Sequence, residues 1–303
     1  MSKRFAVTKS CALVVVVACA SLAMAQPAPS GAPPPPGPAP LQAATPSTSI
    51  PSDSGQGDPA AMLREILPPL PPDAPKPSPE PRNLEGTWIH DQPLTFRNEV
   101  DMYGNKLPYT EKGKRIVDDR VKATYKNGSP YANASAACLP PGQQWQYDLN
   151  MPFQTYQSTN DIAIVFQEYH GIWNIRMNQQ PHRDSAVAPY MGDSVGHWDG
   201  DTLVVDSTNY KWPTWVDVDG TPASKHAHWT HRIRRIDYGS PKLEIVSTLI
   251  DPELYTSPVS YVRTFAWRPD KLIFQEYNCE YQVGSPGGVS RYGLVPEPKE
   301  NLR

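Results

Sequence analysis

The chain has 303 residues and a formal net charge of -3, and it contains 36 prolines against 19 glycines. A charge this close to zero gives no electrostatic basis for binding a polyanion, so we expect no nucleic-acid partner. So much proline also excludes one packed domain over the whole length, unless the prolines are confined to one region. They are concentrated between residues 26 and 82, which leaves 83–303 long enough for one domain with a sizeable core.

Residues 1–25 have the pattern of a signal peptide. Lys3 and Arg4 give a basic start, an apolar run follows, and Ala-Met-Ala at 23–25 is a small-x-small cleavage site. The apolar run is too short for a membrane-spanning helix. Because Val-Val-Ala-Cys at 16–19 resembles a lipobox, a lipoprotein anchored at Cys19 is the alternative. We therefore predict an exported, periplasmic protein, soluble or lipid-anchored, that touches the membrane only through such an anchor.

Residues 26–82 mix proline with alanine, serine and glycine, and a chain of this composition cannot bury a core. We predict a disordered, extended tether over this range and a single β-rich domain over 83–303.

The domain alternates short apolar-polar runs with turn residues such as Asp199-Gly200, a pattern typical of consecutive hairpins. Only 110–126 has helical spacing, ending at Asn127-Gly128. Strands are predicted at 87–90, 153–157, 162–170, 172–178, 194–198, 202–207, 227–236, 243–250, 259–267 and 272–281.

Regularly spaced strands with one helix near 110–126 predict an all-β, antiparallel meander. Gly86-Thr87-Trp88, at the start of the first strand, resembles the G-x-W start of lipocalin-like barrels. A row of hairpins is also the simplest route to an up-and-down barrel. We therefore expect a lipocalin-like β-barrel, with a β-sandwich as the alternative.

Two cysteines, Cys138 and Cys279, remain once the signal peptide is removed. In an oxidising compartment two cysteines most simply form one disulfide, so we predict this pairing. A metal thiolate or a free nucleophile is the alternative, but neither cysteine has a C-x-x-C partner or an adjacent histidine.

Polar side chains occupy one face of three predicted strands. These faces carry Arg176 on the first strand, His228 and Arg232 on the second and Glu280 on the third, opposite apolar or aromatic residues. If the polar faces point into a barrel, they line a charged lumen that could hold a polar ligand. If they point to solvent, they form cross-strand ion pairs of little energetic value. The first alternative predicts a ligand site made of Glu168, Arg176, Trp198, Trp215, Arg232, Arg263 and Glu280.

Histidine suits proton transfer at neutral pH because its ordinary pKa is near 6.5. His228, which shares a face with Arg232, and His182 are the candidate catalytic residues. We predict no cofactor; a zinc or copper site at His226, His228 and His231 is a less favoured alternative, because His231 has the opposite strand parity. Asp217-Val218-Asp219-Gly220 superficially resembles a calcium loop, but it lacks the later ligands and the terminal Glu, so it predicts a turn.

Several motifs resemble those of an uncharacterised family of exported, β-rich proteins of proteobacteria and acidobacteria. They are Cys-Leu-Pro-Pro-Gly at 138–142, Ser-Val-Gly-His-Trp-Asp-Gly-Asp-Thr-Leu-Val-Val-Asp at 194–206 and Tyr-Asn-Cys-Glu at 277–280, with the shorter elements Pro181-His182, Thr-Trp-Val-Asp at 214–217 and Ser224-x-x-x-His228. The resemblance implies an exported, mostly β protein, but it does not imply any particular activity. This chain departs from the pattern at Arg183, His197 and His231, where the family more often has Pro, Arg and Glu.

These features together predict a periplasmic β-barrel that binds a small molecule, plausibly an aromatic or sugar-derived compound. The same residues permit acid/base catalysis by an isomerase, lyase or hydrolase. The alternative is a non-catalytic envelope protein, displayed on its tether, that binds a partner protein. No G-x-S-x-G, Walker, G-x-G-x-x-G or H-E-x-x-H motif is present, so several large enzyme classes lack their usual sequence support.

Overall fold

Alternating strands make up most of the domain in the computed structural model, which describes residues 69–91, 98–149, 151–178, 180–183, 188–211, 214–237, 239–270 and 294–302. The strands are β1 Gly86–His90, β2 Phe153–Gln157, β3 Asp161–Phe166, β4 Ile172–Arg176, β5 Asp193–Asp199, β6 Thr202–Thr208, β7 Thr214–Trp215, β8 Pro222–Ala223, β9 His228–Asp237, β10 Pro241–Ile250 and β11 Val259–Trp267. The helices are α1 Glu111–Val121, which continues as a π-helical turn at Lys122–Lys126, and the short α2 Gln143–Tyr147.

Nine of these strands form a closed barrel in the order β1-β11-β10-β9-β6-β5-β4-β3-β2. Trp88 of β1 pairs with Trp267 of β11 on one side and with Phe153 of β2 on the other, which closes the ring. The predicted all-β barrel is therefore confirmed, and the sandwich alternative is not adopted. β7 and β8 form a separate two-stranded hairpin in the connection between β6 and β9.

The barrel departs from a pure meander at one junction, because β4 and β5 are parallel. Parallel neighbours require the chain to return from one end of the sheet to the other before it pairs. The connection between Arg176 and Asp193 makes this return. It is the segment that carries His182.

The predicted barrel strands and α1 agree with the structure except at a few boundaries, whereas the short strands β7 and β8 were not predicted. The strand predicted at 162–170 ends at Phe166, because a 3-10 turn, Glu168–His170, follows with Tyr169 at a φ of 55°. Helix α1 starts where predicted, since the Thr110 hydroxyl accepts a hydrogen bond from the Gly113 amide and caps the helix. Helix α2 was not predicted. The strand predicted at 272–281 lies outside the described residues.

Apolar side chains fill the inside of the barrel. Alternate residues of each strand point inward, and Tyr147 of α2 adds an aromatic ring between Phe166 and Phe265, with ring centroids 5.8 Å from each. The main core cluster also contains Trp88, Phe153, Ile164, Trp173, Ile175, Leu203, Val205, Ile233, Leu243 and Ile245. Each such buried side chain contributes about 1.5–3 kcal/mol to folding.

A second cluster extends the core beyond one end of the barrel. There Ile116 of α1 packs with Leu254, Tyr255 and Val216, next to the β7–β8 hairpin. Helix α1 is fixed in this position by Arg120, which makes a buried bidentate ion pair with Glu297 at 2.6 and 3.2 Å.

The end of the proline-rich tract contacts the barrel. The Arg235 guanidinium donates to the carbonyl oxygens of Ser78, Glu80 and Asn83, and the Trp267 indole N–H donates to that of Pro75 at 3.0 Å. These carbonyl contacts hold the chain that leads into β1. Residues 26–68 lie outside the described part of the chain, so the tether and its boundary at residue 82 stay predictions.

The inward and outward alternation can be tested on a single strand. Ile245 of β10 is fully buried, whereas Ile250 at the end of the same strand is 40% exposed. Ile245→Ala should lower the free energy of unfolding by about 2–5 kcal/mol, because it removes buried methyl groups and leaves a cavity. Ile250→Ala, the control, should lower it by less than about 1 kcal/mol. Urea unfolding measures both values; equal losses would contradict this assignment of the inner face.

Candidate functional site

The polar faces of the two described strands, β4 and β9, point outward, whereas the third predicted polar face, on 272–281, lies outside the described residues. On β9 the inner residues Trp229, His231 and Ile233 are buried, while Arg232 on the other face is exposed. Of the two alternatives that the sequence left open, the charged lumen is therefore wrong, because the barrel interior is packed with aromatic and aliphatic side chains. A polar site can lie only on the outer surface or at the ends of this barrel.

Two histidines share one carboxylate on that outer surface. His182 Nε2 lies 2.8 Å from Asp206 Oδ1, and His228 Nε2 lies 2.7 Å from Asp206 Oδ2. The second ring nitrogen of His182, Nδ1, lies 3.0 Å from Asp193 Oδ2. The four side chains form a continuous hydrogen-bonded row in the order Asp193, His182, Asp206, His228, which we call the Asp206 cluster.

Strand register brings these residues together. Asp206 points outward from β6 and pairs with Thr230 of β9, so His228, two residues before Thr230, lies diagonally next to it. Asp193 pairs with Thr208 on the other side of β6. His182 arrives on the connection between the parallel strands β4 and β5. The cluster therefore depends on the barrel order and on that crossing segment.

Arg176 supports the Asp193 end of the cluster. Its Nη2 atom donates to both carboxylate oxygens of Asp193, at 3.1 and 3.0 Å, and to the Pro181 carbonyl at 3.1 Å. The Arg183 amide donates to the same carboxylate at 2.8 Å. Burial raises the pKa of Asp193, but the bonds from Arg183 and His182 and the charge of Arg176 outweigh it, so the net shift lowers the pKa.

The hydrogen bonds define which ring nitrogens carry protons. A carboxylate accepts hydrogen bonds, and His182 faces a carboxylate oxygen at each of its ring nitrogens. His228 donates from Nε2 to Asp206, and its Nδ1 makes no hydrogen bond within the described part of the chain. With Nε2 protonated, the neutral His228 ring has its lone pair at Nδ1. The side chain of His228 is 36% exposed.

The other predicted ligand-binding residues lie elsewhere. Glu168 is in the turn after β3, where burial raises its pKa. Trp198 packs against the core near the barrel end, with the Arg82 guanidinium 5.7 Å from its ring centroid. Trp215 lies in β7, with the guanidinium of Arg120 4.5 Å from its ring centroid. The structure does not bring these three residues to the Asp206 cluster.

Arg232 and Arg263 occupy two different environments. Arg232 shares the outer face of β9 with His228 and makes an exposed ion pair with Asp199 at 3.0 Å. Arg263 belongs to a buried network at the barrel end, where it contacts Asp148 and Asn98, each at 2.5 Å. Burial raises the pKa of Asp148 to about 6, although Arg263 opposes that shift.

Two predicted residues, Glu280 and Cys279, lie outside the described residues. The disulfide between Cys138 and Cys279 therefore stays a prediction. Cys138 itself ends a 3-10 turn in a left-handed conformation, with a φ of 56°.

The alternative metal site is not assembled. His231 points into the barrel, where its Nδ1 lies 2.9 Å from Ser247 Oγ and its ring centroid lies 4.8 Å from that of Trp173. His228 points to the opposite side of the same strand, so the two imidazoles cannot share an ion. Over the described ranges, no group of three or more His, Cys, Asp or Glu side chains is arranged to hold a metal ion.

Sequence reasoning missed Asp193 and Asp206. Asp206 is the last residue of the long hairpin motif, and strand parity alone places it on the outer face of β6, opposite Leu203 and Val205. Three of the motifs behind the family resemblance meet at this carboxylate: the end of the hairpin motif, Pro181-His182 and Ser224-x-x-x-His228. The sequence does not show this convergence, because it depends on the β6–β9 register and on the segment that connects the parallel strands β4 and β5.

Comparison with known proteins finds no matching family model and no similar curated protein. Among the helices in the described ranges, none has the length and apolar character of a membrane span.

The buried His231 should make stability depend on pH. Burial lowers its pKa to about 3 from an ordinary 6.5, so the folded protein binds this proton less readily than the unfolded chain. The contribution of neutral His231 to the free energy of unfolding is therefore fully present above about pH 6.5, and it is lost as the pH decreases toward 3. Between pH 6 and 4, wild type should lose roughly 1 kcal/mol per pH unit more than His231→Gln, which cannot titrate. Urea unfolding across this pH range measures the free energy of unfolding of both proteins. If it changes with pH equally in wild type and His231→Gln, the lowered pKa of His231 is contradicted.

Proposed function

We propose that the Asp206 cluster is an acid/base site acting on a small organic molecule, with His228 as the proton-transfer group. The observation that carries the proposal is the shared carboxylate: Asp206 bonds His182 and His228 at 2.8 and 2.7 Å, and His228 Nδ1 is left without a partner in the described residues. A histidine held by a carboxylate at one nitrogen and accessible at the other is the usual arrangement of a general base.

The three side chains take different roles. His228 accepts a proton at Nδ1 from the substrate or from a water molecule and later returns it. Asp206 holds the Nε2–H tautomer and stabilises the imidazolium that forms. His182 uses both of its nitrogens in hydrogen bonds to carboxylates, so it acts as a positioning residue that orients Asp206. Of the two histidines predicted from the sequence, only His228 can exchange a proton without first losing a bond.

Arg232 supplies a charge for binding the substrate. It lies on the outer face of β9 with His228, and its ion pair with Asp199 is exposed and therefore weak. An anionic group on the substrate, away from the reacting atom, would replace that pair. The reactions open to these groups are isomerisation, elimination or hydrolysis of an aromatic or sugar-derived compound.

The sequence of residues 1–25 supports export, and we propose a periplasmic location for the barrel, with or without a lipid anchor at Cys19. The alternative function, a non-catalytic envelope protein that binds a partner protein, predicts that substitutions in the Asp206 cluster leave small-molecule chemistry unchanged.

Proton transfer can be measured without knowing the substrate. The full chain is incubated with a metabolite mixture in D₂O, and mass spectrometry detects new products and deuterium incorporated at carbon. Wild type should process at least one compound, and His228→Gln should slow that reaction by about 10²–10⁴-fold, the usual contribution of a general acid or base. Asp206→Asn should have a comparable effect because it removes the group that holds the His228 tautomer.

His226→Gln is the matched control, because His226 is a nearby exposed histidine whose substitution leaves the cluster intact. It should retain the wild-type rate. Circular dichroism checks that each variant is folded. A reaction that His228→Gln and Asp206→Asn leave at the wild-type rate would rule out this site, and no reaction in any mixture would favour the envelope-protein alternative.

A further inference from the structure

A groove lies outside the barrel wall, away from the Asp206 cluster. It has a volume of ≈ 620 Å³, within the range of small-molecule sites. One side is helix α1, the second is the chain between Glu99 and Thr110, and the third is the turn of the β7–β8 hairpin, at Asp217, Asp219 and Thr221. None of its lining residues belongs to the proposed acid/base site.

Apolar side chains form much of the groove surface. Val117 and Val121 line it from α1, Leu107 and Tyr109 from the preceding chain, and Tyr125 from the π-helical turn. Three of its lining residues, Val100, Val121 and Tyr125, are 46%, 36% and 53% exposed. Large apolar side chains left in water along one groove are typical of a binding surface.

The charged residues of the groove are predominantly acidic. Among the lining residues five are acidic and two are basic, which leaves an excess of three negative charges: Glu99, Glu111, Asp118, Asp217 and Asp219 against Lys106 and Lys114. Lys114 is already paired with Asp118 along the helix. The groove therefore combines an apolar surface with a negative potential.

The hairpin turn fixes two of these carboxylates at the groove. Asp217 accepts hydrogen bonds from the amides of Asn98 and Thr221, at 2.8 and 3.0 Å, which hold it within the turn predicted from the sequence. Asp219, two residues on, is 8% exposed and accepts a hydrogen bond from the Tyr125 hydroxyl. Water screens a carboxylate less in such a recess, so its attraction for a cation is stronger there than on an open surface.

We infer that this groove binds a small amphipathic cation, an ammonium or guanidinium group carried on an aromatic or alkyl body. The cation lies near Asp219 and the phenol ring of Tyr125, and the apolar body lies along Val117 and Val121. The inference does not depend on the Asp206 cluster, because no residue is shared between the two sites.

Three probes of one shape separate charge from hydrophobicity: phenethylammonium, neutral 2-phenylethanol and anionic phenylacetate. In isothermal titration of the full chain, phenethylammonium should bind at one site, about tenfold more tightly than 2-phenylethanol, and phenylacetate should not bind. Raising the salt concentration from 0.05 to 0.5 M should weaken the binding of phenethylammonium and leave the binding of 2-phenylethanol unchanged.

Asp219→Asn keeps an oxygen that can accept the hydrogen bond from Tyr125 but removes the negative charge. The affinity for phenethylammonium should therefore fall to that for 2-phenylethanol. Val117→Ser should weaken the binding of both phenethylammonium and 2-phenylethanol by about threefold to tenfold. Asp237→Asn, the same change at an exposed position at the end of β9, should have no effect.

Equal affinity for all three probes, no binding of any probe, or an unchanged affinity in Asp219→Asn would each overturn the inference. A titration with CaCl₂ is included, and one equivalent of bound calcium without phenethylammonium binding would also overturn it.

Discussion

A closed barrel gives each strand residue only two directions, into the interior or out toward solvent, and the rest of this structure follows from that constraint. Alternate residues of each strand go inward, where Trp88, Phe153, Trp173 and Phe265 fill the space with Tyr147 of α2. No room remains for a charged lumen. Polar residues that alternate with this core are therefore forced onto the outer wall, and the Asp206 cluster forms there because three outer-face strand residues meet a histidine from the crossing segment.

Local pattern was sufficient to predict most of the fold. Apolar-polar alternation and turn residues located the barrel strands from 87–90 to 259–267, and apolar spacing with the Asn127-Gly128 stop located α1. Three features needed long-range information. Helix α2 is only five residues long and is stabilised by burial rather than by its own propensity. The parallel β4–β5 pairing and the closure through Trp88 depend on residues that are distant in sequence.

The candidate site was predictable in part and for identifiable reasons. His182 and His228 were selected for their chemistry, and the structure places both on one carboxylate. Arg176 was selected from strand parity, and it holds Asp193, at the other end of the same cluster. Arg263, Trp198 and Trp215 have the right residue types but lie at the barrel ends, because side-chain chemistry alone does not say which strand neighbours which. Asp206 was missed for the same reason.

The central claim is that Asp206 fixes the proton positions of both histidines. Long-range ¹H–¹⁵N NMR of the imidazole rings of His182 and His228 tests it most directly, since it reports which ring nitrogens are protonated. The account predicts that the His228 and His182 rings each carry a proton at the Nε2 atom that faces Asp206, and that this pattern is lost in Asp206→Asn. A His228 ring protonated at Nδ1, or spectra unchanged by Asp206→Asn, would contradict it.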